Sequence, residues 1–499
     1  MSTLLAATRR VLLLAIETHR DDPGTAAFLR TQLARLDEPL RVAIAGKVKA
    51  GKSTLLNALV GEQVAPTDAG ECTRVVTWYR DGNSPRIVLH PHQGEPTPLT
   101  VRRQAGALVV DLDGTPPEDV ERLVVDWPSE NLRTATLIDT PGIASTSLAT
   151  SRRTVAFLDP DDETPTEADA VVYLMRHLHA ADAEFLESFR DRGVARATAV
   201  NTVAVISRAD EIGGGRVDAM FSARGIAQRY RVDPTMRGLC QNVVAVAGLL
   251  AQTGRTLRHA EYTALAGLAA LPREDLEATL LSVRRFRQAG GDLSTEARDR
   301  LVRRFGLFGI RLGASLIRQG TADADALAAE LVSRSGLTEL QSVLHTQFTG
   351  RRDLLKARSA LLAVDGLRGP RDGPLAREVE RILAGAHEFA ELRLLGALRS
   401  GVVGMPRPAA VEAEQLLGDA GAGAAARLGL PPDAPVAALR SAAFGALERW
   451  QRHASNPMYT RATTDACHVV IRSCEGLLAE LTPRSNPARP PNVRRADVH

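Results

Sequence analysis

One eight-residue stretch constrains the fold of this chain more than any other. Residues 46–53 read GKVKAGKS and match the pattern GxxxxGK[ST], with an apolar run at 41–45 before them and a helical pattern at 54–60 after them. A glycine-rich turn between a strand and a helix points successive backbone N–H groups at one phosphate, and the helix N-terminus adds its dipole. The stretch therefore predicts a phosphate-binding loop (P-loop) in an α/β nucleotide-binding domain.

The residue types in this loop assign its chemistry. Lys52 is placed to reach the β- and γ-phosphates of a nucleotide, and Ser53 to bind Mg²⁺. Only four of the 62 basic residues are lysines, and three of these lie within 47–52. Lys49 is a candidate catalytic cation for the β–γ bridge, with a solvated loop lysine as the alternative. The residues predicted to contact the nucleotide here are Gly46, Lys47, Val48, Lys49, Ala50, Gly51, Lys52, Ser53 and Thr54.

A second motif lies about 85 residues later in the chain, where residues 137–142 read LIDTPG. This is an apolar strand that ends in the pattern DxxG. Asp139 is predicted to hold Mg²⁺ through water, and the Gly142 N–H to sense the γ-phosphate. A threonine between the two motifs should complete the metal shell. We choose Thr73, in the stretch ECTR, with Thr67 and Thr77 as competitors.

A third motif decides between adenine and guanine. The stretch SRAD at 207–210 follows an apolar run at 202–206 and resembles the guanine-recognition pattern [NT]KxD. Asp210 would accept hydrogen bonds from guanine N1 and N2, which adenine does not offer. Arg208 replaces a lysine whose stem stacks on the base, and arginine stacks as well. Ser207 precedes it, and Ala247 is placed near the base by position alone. The predicted ligands are therefore GTP or GDP with Mg²⁺.

The pattern of apolar runs predicts an α/β fold with a mainly parallel sheet, followed by helices. Strand-like runs separated mostly by helical stretches stop near residue 257, and amphipathic helices follow, including one long helix from 375 to about 400. A glycine- and proline-rich segment at 366–374 is predicted to be a hinge or linker. The predicted strands lie at 41–45, 86–89, 108–112, 134–138, 170–174, 200–206 and 242–247.

Helical segments therefore lie on both sides of the α/β region, and we expect them to form one bundle or trunk built from both chain ends. The predicted domains are 1–37 (N-terminal bundle helices), 38–350 (nucleotide-binding domain), 351–482 (bundle) and 483–499 (disordered tail).

Composition excludes some classes of function. The net charge is only +3 and aromatic residues make up 4%, so neither a broad basic surface nor base-stacking platforms are expected, and no nucleic acid partner is predicted. The apolar run at 12–16 is followed at once by charged residues and lacks a cleavage site, so no signal peptide is predicted. No apolar window is long enough for a transmembrane helix.

Together, GKVKAGKSTLLNALVG, ECTRVVT, LIDTPG and SRAD resemble the motifs of bacterial dynamin-like GTPases, and most of all those of the actinobacterial isoniazid-inducible type. The resemblance implies GTP hydrolysis, dimerisation through the GTPase faces, and a helical trunk that transmits the nucleotide state. It further implies a cytoplasmic protein peripherally associated with the inner face of the plasma membrane. The implied partners are a second copy of the chain, anionic phospholipid and, as a further candidate, a second dynamin-like protein.

The chain departs from that family at several positions. Val48 and Lys49 stand where dynamins commonly have Gln and Ser, and that Ser helps hold a monovalent cation. We hypothesise that the Lys49 ammonium replaces the cation. Ile143 stands where other GTPases place a water-orienting Gln. The candidate membrane-inserting tip is 401–406, with 420–426 as an additional candidate segment. The alternative functions are a switch GTPase away from membranes and a nucleotide-binding subunit of a second dynamin-like protein.

Overall fold

The computed structural model describes residues 3–66, 75–104, 106–141, 167–176, 182, 186, 201–367 and 373–482. By its internal contacts the chain divides into two compact units, Met1–Val402 and Val403–His499. The segment predicted as one bundle, 351–482, spans that division. The predicted domain boundaries at 37, 350 and 482 stay predictions.

The first unit is built on a mixed β-sheet. Its strands in the described residues are β1 (Leu40–Gly46), β2 (Thr77–Asp81), β3 (Arg86–Pro91), β4 (Thr97–Leu99), β5 (Arg102–Gln104), β6 (Ala107–Val109), β7 (Val120–Trp127), β8 (Ala135–Asp139), β9 (Ala170–Met175), β10 (Thr202–Ser207) and β11 (Asn242–Val246). Nine of them form one sheet in the order β11-β10-β9-β1-β8-β2-β7-β3-β4, and β5 pairs with β6 alone.

The strands from β11 to β8 all pair in parallel, which confirms the predicted α/β class with a mainly parallel sheet. The antiparallel pairs lie toward the other edge, where β2 pairs with β8, and β3 with β7 and β4. The prediction that helices separate most strands is wrong between β2 and β8, where the described residues hold strands and one short 3₁₀ turn. Strand β7 was missed because the charged residues Glu121, Arg122 and Asp126 interrupt its apolar run.

Helices cover both faces of this sheet. Those of the first unit, among the described residues, are α1 (Thr3–Thr18), α2 (Pro23–Arg35), α3 (Lys52–Val60), α4 (Ala219–Val232), α5 (Pro234–Leu239), α6 (Gly248–Arg255), α7 (His259–Ala270), α8 (Arg273–Thr279), α9 (Val283–Gln288), α10 (Thr295–Arg318), α11 (Ala324–Arg334), α12 (Leu337–Gln347), α13 (Arg352–Asp365), α14 (Pro374–Gly385) and α15 (His387–Arg399).

Alternate side chains of the central strands enter two separate cores, as the period of two in a strand requires. One core joins Ala43 and Tyr173 to Phe305 and Phe308 of α10. The other joins Ile44 and the opposite strand faces to α3 and α12. The central strands are therefore buried on both faces, which explains their nearly continuous apolar sequences.

A helical bundle in the first unit contains both N-terminal helices. Helices α1 and α2 pack on α13 and α14, and their shared core includes Leu12, Leu29, Leu361 and Val379. The long helix predicted from 375 to about 400 is wrong, because Ala386 adopts an extended conformation that separates α14 from α15. The preceding Gly385 makes a poor helix interior, which favours the break there.

The second unit is helical. Its helices are α16 (Arg407–Leu416), α17 (Ala424–Arg427), α18 (Val436–Ala454) and α19 (Arg461–Glu480). Helix α18 packs along α19, with Trp450 and Cys467 fully buried. Thr460 caps α19 by accepting a hydrogen bond from the Thr463 N–H. None of the helices in the described parts of either unit combines the length and apolar character needed to cross a bilayer.

The parallel strands bring the predicted motifs to one edge of the sheet. Strands β8 and β9 follow one another in the chain but lie on opposite sides of β1. The strand order therefore reverses at β1, and ligands of open α/β sheets bind beyond the carboxyl ends of strands at such a point. Gly46, Asp139 and Ser207 each end a strand at this edge.

Candidate nucleotide-binding site

The P-loop begins at a glycine that no other residue can replace without moving the backbone. Gly46 has φ of +146°, and a Cβ built on it would lie 2.5 Å from the carbonyl oxygen of Leu174 in β9. The loop then turns, with the Ala50 N–H donating to the Lys47 carbonyl at 3.1 Å. Lys49 adopts the left-handed conformation, with φ of +62°, which is uncommon for a residue with a side chain.

Helix α3 starts directly after the loop, with Gly51 at its N-terminus. The Lys52 ammonium folds back over the loop, donating to the Gly46 carbonyl at 3.2 Å and lying 3.5 Å from the Lys47 carbonyl. Burial lowers the pKa of Lys52, and the nearby Asp139 carboxylate opposes that shift. The Lys52 ammonium therefore lies at the opening of the loop. A bound phosphate would compete with the Gly46 and Lys47 carbonyls for its hydrogen bonds.

Ser53 and Asp139 meet beside the loop, as a shared metal site requires. The Ser53 hydroxyl donates to Asp139 Oδ2 at 2.8 Å. The other carboxylate oxygen, Oδ1, is buried and accepts no hydrogen bond from any residue in the described parts of the chain. Burial raises the pKa of Asp139, whereas Lys52 and the Ser53 hydrogen bond lower it. Mg²⁺ prefers oxygen ligands, so this hydroxyl and unpaired carboxylate oxygen fit the ion.

A cavity of about 180 Å³ extends from the loop toward the carboxyl end of β10. Ala50, Gly51 and Thr54 line one side, and Ser207, Arg208 and Asp210 line the other. The walls include apolar side chains, among them Leu174 and Leu249, which suit the faces of a planar base. The P-loop and the predicted guanine motif therefore border one common space.

Asp210 stands at the far side of this cavity with its carboxyl mostly buried. The residue is 8% exposed, and burial raises its pKa above the usual 3.8. Arg208 has φ of +51°, and its guanidinium pairs with Glu211 at 2.9 Å. The Ser207 hydroxyl donates to the Met175 carbonyl at 3.2 Å, which ties β10 to β9. Arg208 is thus oriented by an acid that the sequence motif does not include.

A kinked helix, α10, lies next to the Asp210 carboxyl. Helix α10 breaks at Gly306, which has φ of +61°, and a Cβ there would lie 4.0 Å from Asp210 Oδ2. The Arg304 carbonyl, next to the break, accepts a hydrogen bond from the Thr253 hydroxyl. The Arg304 side chain pairs with the buried Glu261 at 2.8 Å. Sequence reasoning missed this wall because Gly306 lies almost 100 residues after the guanine motif.

The remaining predicted residues fall in several places. Val48 is exposed, and Ala247 is fully buried with its N–H donating to the Ser335 carbonyl, so the next residues, Gly248 and Leu249, line the cavity instead. Thr77, a competitor for the metal-shell threonine, begins β2 opposite Asp139 in the sheet register. Thr73, Thr67, Gly142 and Ile143 lie outside the described residues.

The Lys47 side chain makes a contact that the sequence did not predict. Its ammonium lies 2.9 Å from the carboxylate of Asp182, which also accepts a hydrogen bond from the Tyr173 hydroxyl at 2.7 Å. Neither Asp182 nor Tyr173 belongs to a recognisable motif. A single acid after an apolar strand is the one signal in the sequence, and it is too common to be specific.

Comparison with known proteins places this site in a family. Residues 42–204 match the dynamin family. The isoniazid-induced protein IniC of Mycobacterium tuberculosis is 42% identical over 461 residues, which cover 90% of this chain and 92% of the relative. Shorter similarities link the chain to a bacterial dynamin-like protein of Nostoc punctiforme (32% over 117 residues, 21% of this chain and 17% of the relative). Dynamin-like protein A of Bacillus subtilis is 29% identical over 177 residues (35% and 14%).

Among solved structures, one from an oligomerised bacterial dynamin pair aligns with 97% of this chain and 76% of its own, at 13% identity and a TM-score of 0.31, which is too low to bear on the fold. The family match and the near full-length relative suffice. The chain belongs to the dynamin-like GTPase family, in which the isoniazid-induced protein IniC is one of its relatives.

Proposed function

We propose that this protein hydrolyses GTP to GDP and phosphate in an Mg²⁺-dependent reaction. The observation that carries the proposal is one cavity with two chemically distinct ends. One end is lined by Ala50 and Gly51 of the P-loop, and the other by Asp210, whose carboxyl is mostly buried. Lys52 and Ser53 follow Gly51 directly, and the Ser53 hydroxyl donates to Asp139. Such a cavity suits a ligand with a phosphate chain at one end and a hydrogen-bonding base at the other.

The phosphate end supplies positive charge and oriented N–H groups. The loop amides and the α3 N-terminus would hold the phosphate oxygens, and Lys52 would neutralise charge that develops on the γ-phosphate as its bond to the leaving oxygen breaks. Ser53 and Asp139 would hold Mg²⁺, which supplies further charge neutralisation at the phosphates. Lys49, exposed and held in a left-handed conformation, is our candidate for a second catalytic cation.

The base end supplies the selectivity for guanine. The Asp210 carboxylate would accept hydrogen bonds from guanine N1–H and the 2-amino group, and Arg208 would cover the ring face. Adenine presents neither donor in that geometry, so a buried carboxylate would be left unpaired against it, which is costly. Thr73 and Gly142 complete the proposed site as the γ-phosphate contacts, Thr73 also as the third Mg²⁺-linked residue.

We further propose that hydrolysis is coupled to motion of the helical trunk and to remodelling or maintenance of the inner membrane. The family relationship to the bacterial dynamin-like proteins supports this, as does the packing of α1 and α2 on α13 next to the nucleotide-binding sheet. The proposed partners are a second copy through the GTPase face, anionic phospholipid and a second dynamin-like protein. The proposed location is the cytoplasmic face of that membrane.

The experiment measures GTP turnover against protein concentration, with and without cardiolipin-containing liposomes, together with co-sedimentation. A turnover per molecule that rises with concentration, combined with lipid pelleting, is the expected result. Lys52→Ala should abolish turnover, because the γ-phosphate loses the cation that the P-loop supplies. Normal hydrolysis by that variant would refute the site. A slow rate that is independent of concentration, without lipid binding, would instead favour a switch GTPase or a nucleotide-binding partner subunit.

A further inference from the structure

Three polar groups lie beneath the P-loop. The Asp182 carboxylate, 1% exposed, accepts a hydrogen bond from the Tyr173 hydroxyl and pairs with the Lys47 ammonium. The Lys47 side chain is 35% exposed, so it connects this buried carboxylate to the loop surface. Burial raises the pKa of Tyr173, and the hydrogen bond to Asp182 raises it further, which keeps the phenol a hydrogen-bond donor.

This cluster holds the loop at Lys47, the second residue of the loop. Lys47 follows Gly46, which packs against Leu174 of β9 without room for a side chain. The Lys47 carbonyl accepts from the Ala50 N–H and lies close to the Lys52 ammonium. The position of the Lys47 backbone therefore bears on both the turn of the loop and the resting place of its catalytic lysine.

The three lysines of the loop differ in their contacts with the described residues: one is paired with a carboxylate, and the other two are not. Lys47 is neutralised by Asp182, whereas Lys52 lies against carbonyls and Lys49 is exposed on the loop. A buried carboxylate without a cation is strongly unfavourable, so the pair constrains both partners. The Lys47 side chain therefore contacts a carboxylate of the protein, although its position in the P-loop sequence suggests a phosphate ligand.

We propose that Asp182 is a positioning residue of the P-loop, which acts through Lys47 and Tyr173 to hold the loop amides and Lys52 in the geometry that binds the β-phosphate. This inference rests on the proposed function, because it assumes that a guanine nucleotide occupies the loop. Asp182 touches no nucleotide in this scheme, and Lys47 acts as its anchor point on the loop.

The test compares the affinities for GDP and GMP, because GMP lacks the β-phosphate and depends little on the loop. In Asp182→Asn the amide still accepts from Tyr173 but no longer attracts Lys47. We expect the Kd for GDP to rise about 10-fold, as for loss of a charged hydrogen bond, with the Kd for GMP nearly unchanged. If the substitution instead disrupted the fold, the affinities for GDP and for GMP would fall together.

Two further variants keep the test decisive. Lys47→Met alone removes the ammonium that faces the buried Asp182 carboxylate and is open to misfolding, so it is combined with Asp182→Asn to make a neutral pair. That double variant should bind GDP no more weakly than Asp182→Asn, because both changes remove one contact. The matched control is Asp37→Asn, which breaks an ion pair with Arg9 at the surface and should leave both affinities unchanged.

Each other outcome has a definite meaning. If Asp182→Asn tightens GDP binding, Lys47 is a phosphate ligand that Asp182 withholds, and the positioning role is wrong. Equal losses for GDP and GMP, or no loss for either, also overturn it. If the unaltered protein binds no GDP, the proposed function fails together with the positioning role. If it binds GDP but Asp182→Asn gives one of these other results, only the positioning role of Asp182 is wrong.

Discussion

The ammonium of Lys356 lies 3.6 Å from the carboxylate of Asp169, and both side chains are almost completely buried. Asp169 precedes β9 and also accepts the N–H of Arg41 at 2.9 Å and pairs with Arg35 at 3.3 Å. Lys356, the one lysine outside the P-loop, donates to the Arg35 carbonyl at 2.7 Å. One carboxylate therefore joins helices α2 and α13 of the bundle to the start of β1, which leads into the P-loop, and to the start of β9, which pairs with β1.

Removing this carboxylate should be more damaging than removing the lysine. Asp169→Asn removes the carboxylate that pairs with both buried cations, Arg35 and Lys356, and we expect a loss of about 3–5 kcal/mol in the free energy of unfolding. In Lys356→Met the acid keeps Arg35 and the Arg41 N–H, so a loss of about 1–2 kcal/mol is expected. Urea denaturation measures both. Equal effects, or a larger loss for Lys356→Met, would contradict the central role of the acid.

Asp210→Asn should weaken GDP binding by roughly 10- to 100-fold, because the amide accepts less strongly and sets its NH₂ group against a guanine donor. Xanthosine diphosphate carries a carbonyl in place of the 2-amino group and should bind the variant better than GDP does. Isothermal titration calorimetry with both nucleotides measures this change in base preference. A variant that keeps its preference for GDP would exclude Asp210 from base recognition.

The raised pKa of Asp210 adds a prediction on pH. Because the folded-state pKa lies above the unfolded value, the ionised carboxyl costs stability at neutral pH, and this cost is relieved as pH falls through the folded pKa. The nucleotide-free Asp210→Asn variant should therefore be more thermostable than the parent at pH 7, although it binds GDP less well. Their melting temperatures should converge at acidic pH. A less stable variant at pH 7 would show that the carboxyl is stabilised by the fold.

Gly306→Ala should disturb guanine recognition from a distance. Gly306 has φ of +61° and ψ of 177°, a conformation that is essentially restricted to glycine and costs a residue with a Cβ about 1–3 kcal/mol. Straightening the helix there would move the wall beside Asp210. We expect lower stability by that amount and a several-fold weaker affinity for GDP. The control is Gly225→Ala in α4, where a Cβ meets nothing within 4 Å and alanine favours the helix. An unchanged GDP affinity in Gly306→Ala would show that the α10 kink does not contribute to guanine recognition.

Lys49 yields a prediction on salt composition. If its ammonium replaces a bound monovalent cation, hydrolysis should proceed equally in K⁺, Na⁺ or a bulky organic cation at constant ionic strength. Lys49→Ser should lower turnover about 10-fold or more, as for loss of one charge-stabilising group, and should make the remainder respond to K⁺ or Na⁺. Steady-state phosphate release measures both proteins. Strong cation dependence in the unaltered protein would refute the hypothesis.

The P-loop and the α/β class were predictable because they follow from local rules. A glycine turn between an apolar strand and a helix, with Lys52 and Ser53 at fixed spacing, needs no knowledge of distant residues. Asp139 and Asp210 were recognised by short motifs at strand ends, and the parallel sheet brings such ends to one edge. The strands between β2 and β8 were harder, because their short, charge-interrupted runs lack a clear period.

Contacts between distant residues account for what the motifs left out. Asp182, Asp169, Lys356 and Gly306 stand in no motif, and each matters only because the fold brings it to a residue far along the chain. Local patterns encode backbone conformation and the chemistry of the loop, since both depend on neighbours in sequence. The burial of a charge, the counter-charge that neutralises it and the close approach of a kinked helix depend on packing across the sheet, and they arise only once the chain has folded.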